Sequence, residues 1–295
     1  MLRLRCGAIG NHPRREGGFL HFSALLLHIG EGGYGEFAGF FAAPPVVGYQ
    51  TLDVADAAAG GNSWLISTIP ALGKALASNT LNDLQVSAPD GGLVSEYSVQ
   101  LLTYGADGQL EGNFVYLDAD SNGSLYGVDS GWYTTASVED WDPVECGSTT
   151  IAFGTGFNIL SDCGATITCA GEVKTTSSDI LINDSSAGGN TWSGNCTPIN
   201  LTLADIAITP PEGGLTSEYS VQLLTYGADG QLEGNFVYLD ADSNGSLYGV
   251  DTGWYTTASV EDWDPVGCGS TEIAAGRMVN ILSDCGATMT IPSAL

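Results

Sequence analysis

A long internal repeat constrains this chain more than any other feature. Residues 91–144 and 213–266 are identical except at two aligned positions, at an offset of 122 residues. The two differences are Val94/Thr216 and Ser130/Thr252. The offset is close to the length of one small domain, so the chain contains one module written twice. Any site that the module carries also occurs twice, which favours avid binding or a surface-forming role over catalysis.

Strand patterns and turn signals recur through both copies. Residues 97–104 alternate apolar and polar side chains, a glycine-flanked turn follows at 105–108, and residues 109–117 form a second strand pattern. Residues 156–160 and 165–169 likewise flank a short turn. The 41 glycines fit many short strands joined by turns. We predict an all-β fold with roughly eight antiparallel strands per copy, as tandem sandwiches or partly open barrels.

Three segments are expected. Residues 1–45 form a leader, residues 46–169 the first β-module and residues 170–295 the second. Within the first module only residues 71–84 have a helix-like pattern, which predicts one short helix or a lone turn.

The leader resembles a secretory signal in its order of basic residues, an apolar stretch at 19–30 and small residues at 40–45. A misassigned start codon and a disordered arm are the alternatives. The apolar stretch is too short to span a bilayer, so no transmembrane segment is expected. We therefore expect a secreted or cell-surface protein.

The net charge limits the classes of partner that this chain can bind. The chain has 34 acidic and 7 basic residues, a formal net charge of −27. Because little positive charge faces a phosphate backbone or an anionic lipid, no nucleic-acid partner and no anionic membrane surface is expected. All 3 histidines lie in the leader, so the modules lack Ser-His-Asp and Cys-His systems. We expect a protein that is not an enzyme.

Six cysteines lie outside the leader. In an oxidising compartment they predict three disulfides, with reduced, buried thiols as the alternative. The predicted pairs are Cys146–Cys163, Cys268–Cys285 and Cys169–Cys196.

A loop at 117–129 resembles the calcium loops of EF-hand and dockerin type, with the spacing D-x-D-x-N-G-x5-D. The loop is predicted either to hold a structural Ca²⁺ ion or to be an ordinary β-turn, and the strand patterns on both flanks favour the turn. The predicted ligands are Asp118, Asp120, Asn122, Ser124 and Asp129, and in the second copy Asp240, Asp242, Asn244, Ser246 and Asp251.

An aromatic and acidic cluster is the second candidate site. Exposed rings beside carboxylates would stack on sugars, whereas the alternative is core tryptophans with solvated acids between them. The predicted ligand-binding residues are Trp132, Tyr133 and Trp141, repeated as Trp254, Tyr255 and Trp263.

The first module resembles β-rich repeats of secreted and surface proteins of Gram-negative bacteria. Those repeats have a GWNLIS-P-type strand, matched here by residues 61–70, and a closing PGxGFxI strand, matched by residues 151–159. The second copy departs from both motifs after Trp192 and at residues 274–280. The resemblance implies export and a structural or binding role.

Three functions follow as hypotheses. The first is a secreted or surface-exposed, non-catalytic structural or adhesive protein, with or without stabilisation by calcium. The second is a pair of carbohydrate-binding modules, and the third is a glycoside hydrolase that uses carboxylates alone. A glycan or a protein surface is the expected partner. Self-association is left open, and strand exchange between nearly identical neighbours is a hazard during folding.

Overall fold

The computed structural model describes residues 47–67 and 78–293. Within these ranges the chain is mostly strand, in several antiparallel sheets with only two short helices. The all-β prediction is confirmed, while the sandwich or barrel arrangement of each module stays a prediction. No helix in the described ranges is long and apolar enough to cross a bilayer. The predicted leader and residues 71–77 of the helix-like stretch lie outside these ranges.

The first copy contains ten strands and one helix within the described residues. They are β1 (Val47–Val54), β2 (Asn62–Ile66), β3 (Ser78–Thr80), β4 (Gln85–Ser87), β5 (Gln100–Tyr104), β6 (Leu110–Leu117), β7 (Gly131–Thr134), α1 (Thr135–Glu139), β8 (Thr150–Ala152), β9 (Gly156–Leu160) and β10 (Ala165–Glu172). The described part of the helix-like stretch forms β3 and a single 3-10 turn at Leu81–Asp83, so this part is a lone turn.

The second copy repeats this order. Its elements are β11 (Ser178–Ile182), β12 (Asn190–Gly194), β13 (Leu201–Thr202), β14 (Ala207–Thr209), β15 (Gln222–Tyr226), β16 (Leu232–Leu239), β17 (Gly253–Thr256), α2 (Thr257–Glu261), β18 (Glu272–Ile273), β19 (Met278–Leu282) and β20 (Ala287–Ile291). The first copy's last strand, β10, continues three residues past the predicted module boundary at 169.

Each copy has a five-stranded sheet and a three-stranded sheet. The orders are β2-β9-β5-β6-β7 with β1-β10-β4, and β12-β19-β15-β16-β17 with β11-β20-β14. Apolar residues of both sheets meet in one core, such as Leu52 and Ile167 of the smaller sheet and Leu101 and Phe157 of the larger. The turn at 105–108 joins neighbouring strands β5 and β6 as predicted. The turn after β9 instead carries the chain from one sheet to the other.

Helix α1 covers the outer face of the five-stranded sheet near its β7 edge. Val138 of α1 packs with Val115, Leu117 and Tyr133, all of which are buried. The opposite face of the same strands packs against the main core through Phe114 and Trp132. Alternation along β6 and β7 therefore buries both faces here, and α1 is held where it can orient the segment that follows it.

The two copies pack against each other within one compact unit, residues 44–295. Trp64, Tyr104, Trp192 and Tyr226 form a ring cluster at the junction, with Tyr104–Trp192 centroids 4.7 Å apart and Trp64–Tyr226 centroids 4.8 Å apart. The indole of Trp64 donates to the Gly227 carbonyl at 3.0 Å, and that of Trp192 to the Gly105 carbonyl at 3.1 Å. Each copy thus lies against the β-turn of the other in an approximately two-fold arrangement.

The junction is not symmetric in its side chains. Ile66 of the first copy is fully buried in the core of the second, whereas its counterpart Gly194 leaves no room for a side chain, since a Cβ there would lie 2.1 Å from the Arg277 carbonyl oxygen. Gly156 of the first copy faces Met278 of the second, the residue at its own equivalent position. Each large side chain therefore lies where the other copy provides space.

The predicted disulfides Cys146–Cys163 and Cys268–Cys285 are wrong, because all four thiols are free. The Cys146 amide donates to the Trp132 carbonyl on the outer side of β7, while Cys163 follows β9. Strands β5, β6 and β7 separate them, each spaced about 4.8 Å from the next. A disulfide needs Cα atoms within about 7 Å. The second copy repeats this separation.

The predicted Cys169–Cys196 disulfide is also wrong. Cys169 packs in the core of the first copy, and Cys196 packs in the core of the second. Burial raises the pKa of both thiols, to about 11 for Cys169. They therefore remain protonated near neutral pH and are poor nucleophiles.

Candidate functional site

The exposed tryptophans mark the site that each module repeats. Trp141 and Trp263 are both 70 % exposed, one residue after the C-caps of α1 and α2. Both have a left-handed backbone, with φ of 58° and 57°, and they are the two non-glycine residues with positive φ in the described ranges. A bulky side chain in this region costs roughly 1–2 kcal/mol, and glycine ordinarily occupies it. The chain therefore holds a large ring outside at a cost in stability.

Local hydrogen bonds account for this conformation. The Trp141 amide donates to the Val138 carbonyl at 3.0 Å, and the Asp142 amide donates to the Ser137 carbonyl at 2.9 Å. The Ser137 hydroxyl accepts from the Val144 amide at 2.8 Å and donates to the Thr134 carbonyl at 2.8 Å. Because Ser137 is hydrogen-bonded to both ends of the 134–144 segment, the backbone reverses direction at Trp141 and the Trp141 ring points outward.

Two tyrosines extend the surface around this ring, of which Tyr97 is exposed and Tyr126 is half-buried. Tyr126 lies beside Trp141 with ring centroids 5.1 Å apart at 36°. The Tyr97 hydroxyl donates to the Glu139 carboxylate at 2.9 Å, which raises the Tyr97 pKa to about 12 through that hydrogen bond. We call Tyr97, Tyr126, Glu139 and Trp141 the aromatic platform. The second platform consists of Tyr219, Tyr248, Glu261 and Trp263.

The structure separates the aromatic residues that the sequence grouped together. Trp132 and Trp254 are buried and donate their indole N–H groups to the Leu84 and Ile206 carbonyls. Tyr133 points to the opposite face of β7 and donates its hydroxyl to the Asp129 carbonyl at 2.9 Å. In the second copy Tyr255 makes the same bond to Asp251 at 2.7 Å. Only Trp141 and Trp263 of the six predicted residues belong to the platforms, and sequence reasoning missed both tyrosine pairs.

In the predicted calcium loop the side-chain amide of the central asparagine points inward. Asn122 is buried; its Oδ1 accepts from the Asp118 amide at 2.7 Å and its Nδ2 donates to the Ser95 carbonyl at 2.8 Å. Asp118 accepts from the hydroxyls of Ser121 and Ser130, and these bonds lower its pKa. The second-copy residues Asp240 and Asn244 repeat the inward arrangement.

The remaining predicted ligands lie around this turn. The Ser124 hydroxyl donates to the Ser121 carbonyl at 2.6 Å, and Ser246 does the same to Ser243. Asp120 and Asp242 lie in the same turns, and Asp129 and Asp251 give their backbone carbonyls to tyrosine hydroxyls. Across the described ranges no group of three or more His, Cys, Asp or Glu side chains is arranged to hold a metal ion.

No protein-family model matches this sequence, and no curated protein or solved structure is significantly similar to it. The resemblance to exported β-rich repeats therefore stays a prediction.

Proposed function

We propose that this chain is a secreted or cell-surface adhesive protein that binds glycans through its two aromatic platforms and catalyses no reaction. The observation that carries the proposal is the exposed, left-handed placement of Trp141 and Trp263 beside Tyr126 and Tyr248. Exposed aromatic surface retained at a conformational cost is typical of a binding site.

The chemistry of the platform suits a sugar ring. The C–H groups on one face of a pyranose stack on an aromatic ring, and its hydroxyls donate to carboxylates. Trp141 and Tyr126 supply the rings, and Glu139 supplies a carboxylate already fixed by Tyr97. Two identical platforms on one chain increase the apparent affinity for a polyvalent glycan, provided that its spacing lets both bind together.

Three carboxyl groups have pKa values shifted in the direction opposite to the one that the acid of a glycoside hydrolase needs. The pKa values of Asp118, Asp184 and Asp205 are all lowered by hydrogen bonds from hydroxyls or backbone amides. A glycoside hydrolase needs one carboxylic acid with a raised pKa to protonate the leaving group. None of these three carboxyl groups is therefore suited to that acid role.

The test is a glycan array probed with residues 44–295 and with variants that keep the core intact. We expect wild-type binding, and its loss in the double variant Trp141→Ala, Trp263→Ala. The double variant Leu125→Ala, Leu247→Ala is the matched control, since both leucines are at least 70 % exposed and lie near the platforms in sequence. Trp132→Ala is unsuitable because Trp132 is a core residue.

Two outcomes would contradict the proposal. Absence of wild-type binding to every glycan would remove the glycan-binding function, and binding that survives the double tryptophan variant would exclude the platforms. A purely structural surface protein is the second candidate, favoured by the extensive junction that ties both copies into one unit. That role predicts no glycan binding and a large loss of stability when the junction rings are removed.

A further inference from the structure

The junction between the copies has two equivalent grooves that differ in one side chain. At position 277 the second copy has an arginine, whereas the equivalent position of the first copy is Thr155. The carboxylates nearby are equivalent as well, Glu233 in the second copy and Glu111 in the first. We call the two places the Arg277 groove and the Glu111 groove.

Arg277 shows what this type of groove binds. Its Nη2 donates to the Glu233 carboxylate at 3.1 Å and to the Tyr226 carbonyl oxygen. Its side chain remains 31 % exposed. The Arg277 backbone forms an antiparallel β-bridge with Leu65 of the other copy, so Arg277 lies at the junction. A planar guanidinium matches a carboxylate and a carbonyl at once, which is the geometry that arginine satisfies better than lysine.

The Glu111 groove offers the same groups without a cation. It is an open cavity of about 390 Å³ formed by both copies and lined by Glu111, Tyr104, Thr155, Asp179 and Trp192, among others. The Tyr104 and Trp192 rings lie 4.7 Å apart. The half-buried Tyr104 and Trp192 rings give a guanidinium apolar surface to pack against beside the Glu111 carboxylate.

No basic side chain in the described ranges reaches Glu111. Those ranges hold two basic residues, Lys174 and Arg277. Lys174 donates to the Ser178 hydroxyl at 2.7 Å and lies 5.7 Å from the centre of the Phe153 ring. Arg277 is committed to Glu233 in the other groove. The Glu111 carboxylate therefore forms no ion pair within the described part of the chain.

We propose that the Glu111 groove binds an arginine side chain presented by a partner protein. The guanidinium would pair with the Glu111 carboxylate and the Tyr104 carbonyl, as Arg277 does with Glu233 and Tyr226. A formal charge of −27 attracts a basic partner over distance, and the groove provides the specific contact. The site is separate from the aromatic platforms, so it does not depend on their proposed function.

The experiment titrates residues 44–295 with the pentapeptide Gly-Gly-Arg-Gly-Gly and follows the Trp192 indole N–H resonance by NMR. Peptides with lysine or citrulline in place of arginine are the ligand controls. We expect one saturable site for the arginine peptide, weaker binding of the lysine peptide, none of the citrulline peptide, and weakening by added salt.

Matched variants test whether the peptide binds in the Glu111 groove. Glu111→Gln should weaken binding about two- to fivefold, since the Glu111 carboxylate is exposed and an exposed ion pair is screened by water, whereas Glu233→Gln should leave binding unchanged. Thr155→Arg should abolish binding by filling the groove internally. Arg277→Thr should open the second groove and raise the stoichiometry from one to two.

Three results would overturn the proposal. These are the absence of saturable arginine-peptide binding, equal binding of the citrulline peptide, and equal effects of Glu111→Gln and Glu233→Gln. Retention of binding in the double variant Trp141→Ala, Trp263→Ala supports a site separate from the platforms, and its loss in that variant overturns the assignment to the groove.

Discussion

The side chain of Met278 lies directly against Gly156, so that a Cβ atom at position 156 would fall 2.4 Å from the Met278 Cγ atom. We expect Gly156→Ala to destabilise the protein by roughly 1–3 kcal/mol, because an extra methyl overfills a packed interface. Chemical denaturation would measure the change. Gly253→Ala is the matched control, since its Cβ would meet nothing within 4 Å. Equal stability of the two variants would contradict the packing described here.

The double variant Gly156→Ala, Met278→Ala tests the same contact by coupling. Residues in contact show non-additive effects on the free energy of unfolding, of about 0.5–3 kcal/mol. We expect truncation of Met278 to recover part of the loss caused by the alanine at 156. Strict additivity of the two single changes would show that the residues do not touch.

Trp141 allows a sharp comparison of glycine with alanine. At most positions glycine is less stable than alanine because it loses more backbone entropy on folding. At φ of 58° the order should reverse. We expect Trp141→Gly to be more stable than Trp141→Ala by about 1 kcal/mol. Both variants lose the ring, but only alanine has a Cβ atom that is strained in the left-handed conformation. Urea denaturation of both variants measures the difference, and the ordinary order would contradict the assigned backbone.

The hydrogen bond from Tyr97 to Glu139 predicts a dependence on alkaline pH. The Tyr97 pKa is raised from 10.0 to about 12, first by that hydrogen bond and then by burial. A raised folded pKa contributes stability that is fully present below the unfolded value near 10 and is lost as pH rises through the folded value. We therefore expect the contribution to disappear between about pH 10 and 12.

Tyrosinate absorbance at 295 nm would follow this titration. In Glu139→Gln the phenol no longer faces a negative charge, so one tyrosine should titrate nearer pH 10 than in the wild type. Glu172→Gln is a control carboxylate on β10, away from α1 in the topology. An identical titration curve for the wild type and Glu139→Gln would contradict the hydrogen bond.

Calcium stabilisation remains a proposal with a direct test. If the loops bind calcium, thermal melting of residues 44–295 in EDTA and in millimolar calcium should show a rise that Asp118→Ala and Asp240→Ala together abolish, because a ligand that prefers the folded state raises the melting temperature. Asn122→Ala should instead lower the melting temperature equally in both buffers, because its amide bonds hold the loop. The absence of a rise in the wild type would leave the loop as an ordinary turn.

Much of the fold could be predicted because it depends on local patterns. The β5 turn at residues 105–108 and the alternation around Leu101 are visible in short windows, and the structure reproduces both. The junction could not be predicted in the same way, since Trp64 and Gly227 are far apart in sequence and no periodicity links them. The asymmetry of Gly156 and Met278 is visible only once the copies are placed together.

The candidate site was predicted in part for a similar reason. Trp132 and Trp141 are both aromatic residues next to acids or polar residues, and their exposure differs only because Trp132 lies on the inner face of β7 and Trp141 follows a helix end. A left-handed position normally carries glycine, so tryptophan there gives no turn signal. Tyr97 and Tyr126 come from other loops, which only the tertiary fold brings to Glu139 and Trp141.

The two sides of the junction carry different side chains. A junction formed between two molecules would therefore have a direction. Ile66 enters the core of the second copy, whereas its counterpart Gly194 has no side chain to enter the core of the first. An exchanged assembly that keeps these contacts therefore joins the first copy of one molecule to the second copy of another. Such heterologous contacts close into rings or extend as head-to-tail chains, whereas pairing of like copies would lose the contacts that Ile66 and Gly156 make with the second copy. Divergence at a few positions thus gives a duplicated sequence a direction of assembly.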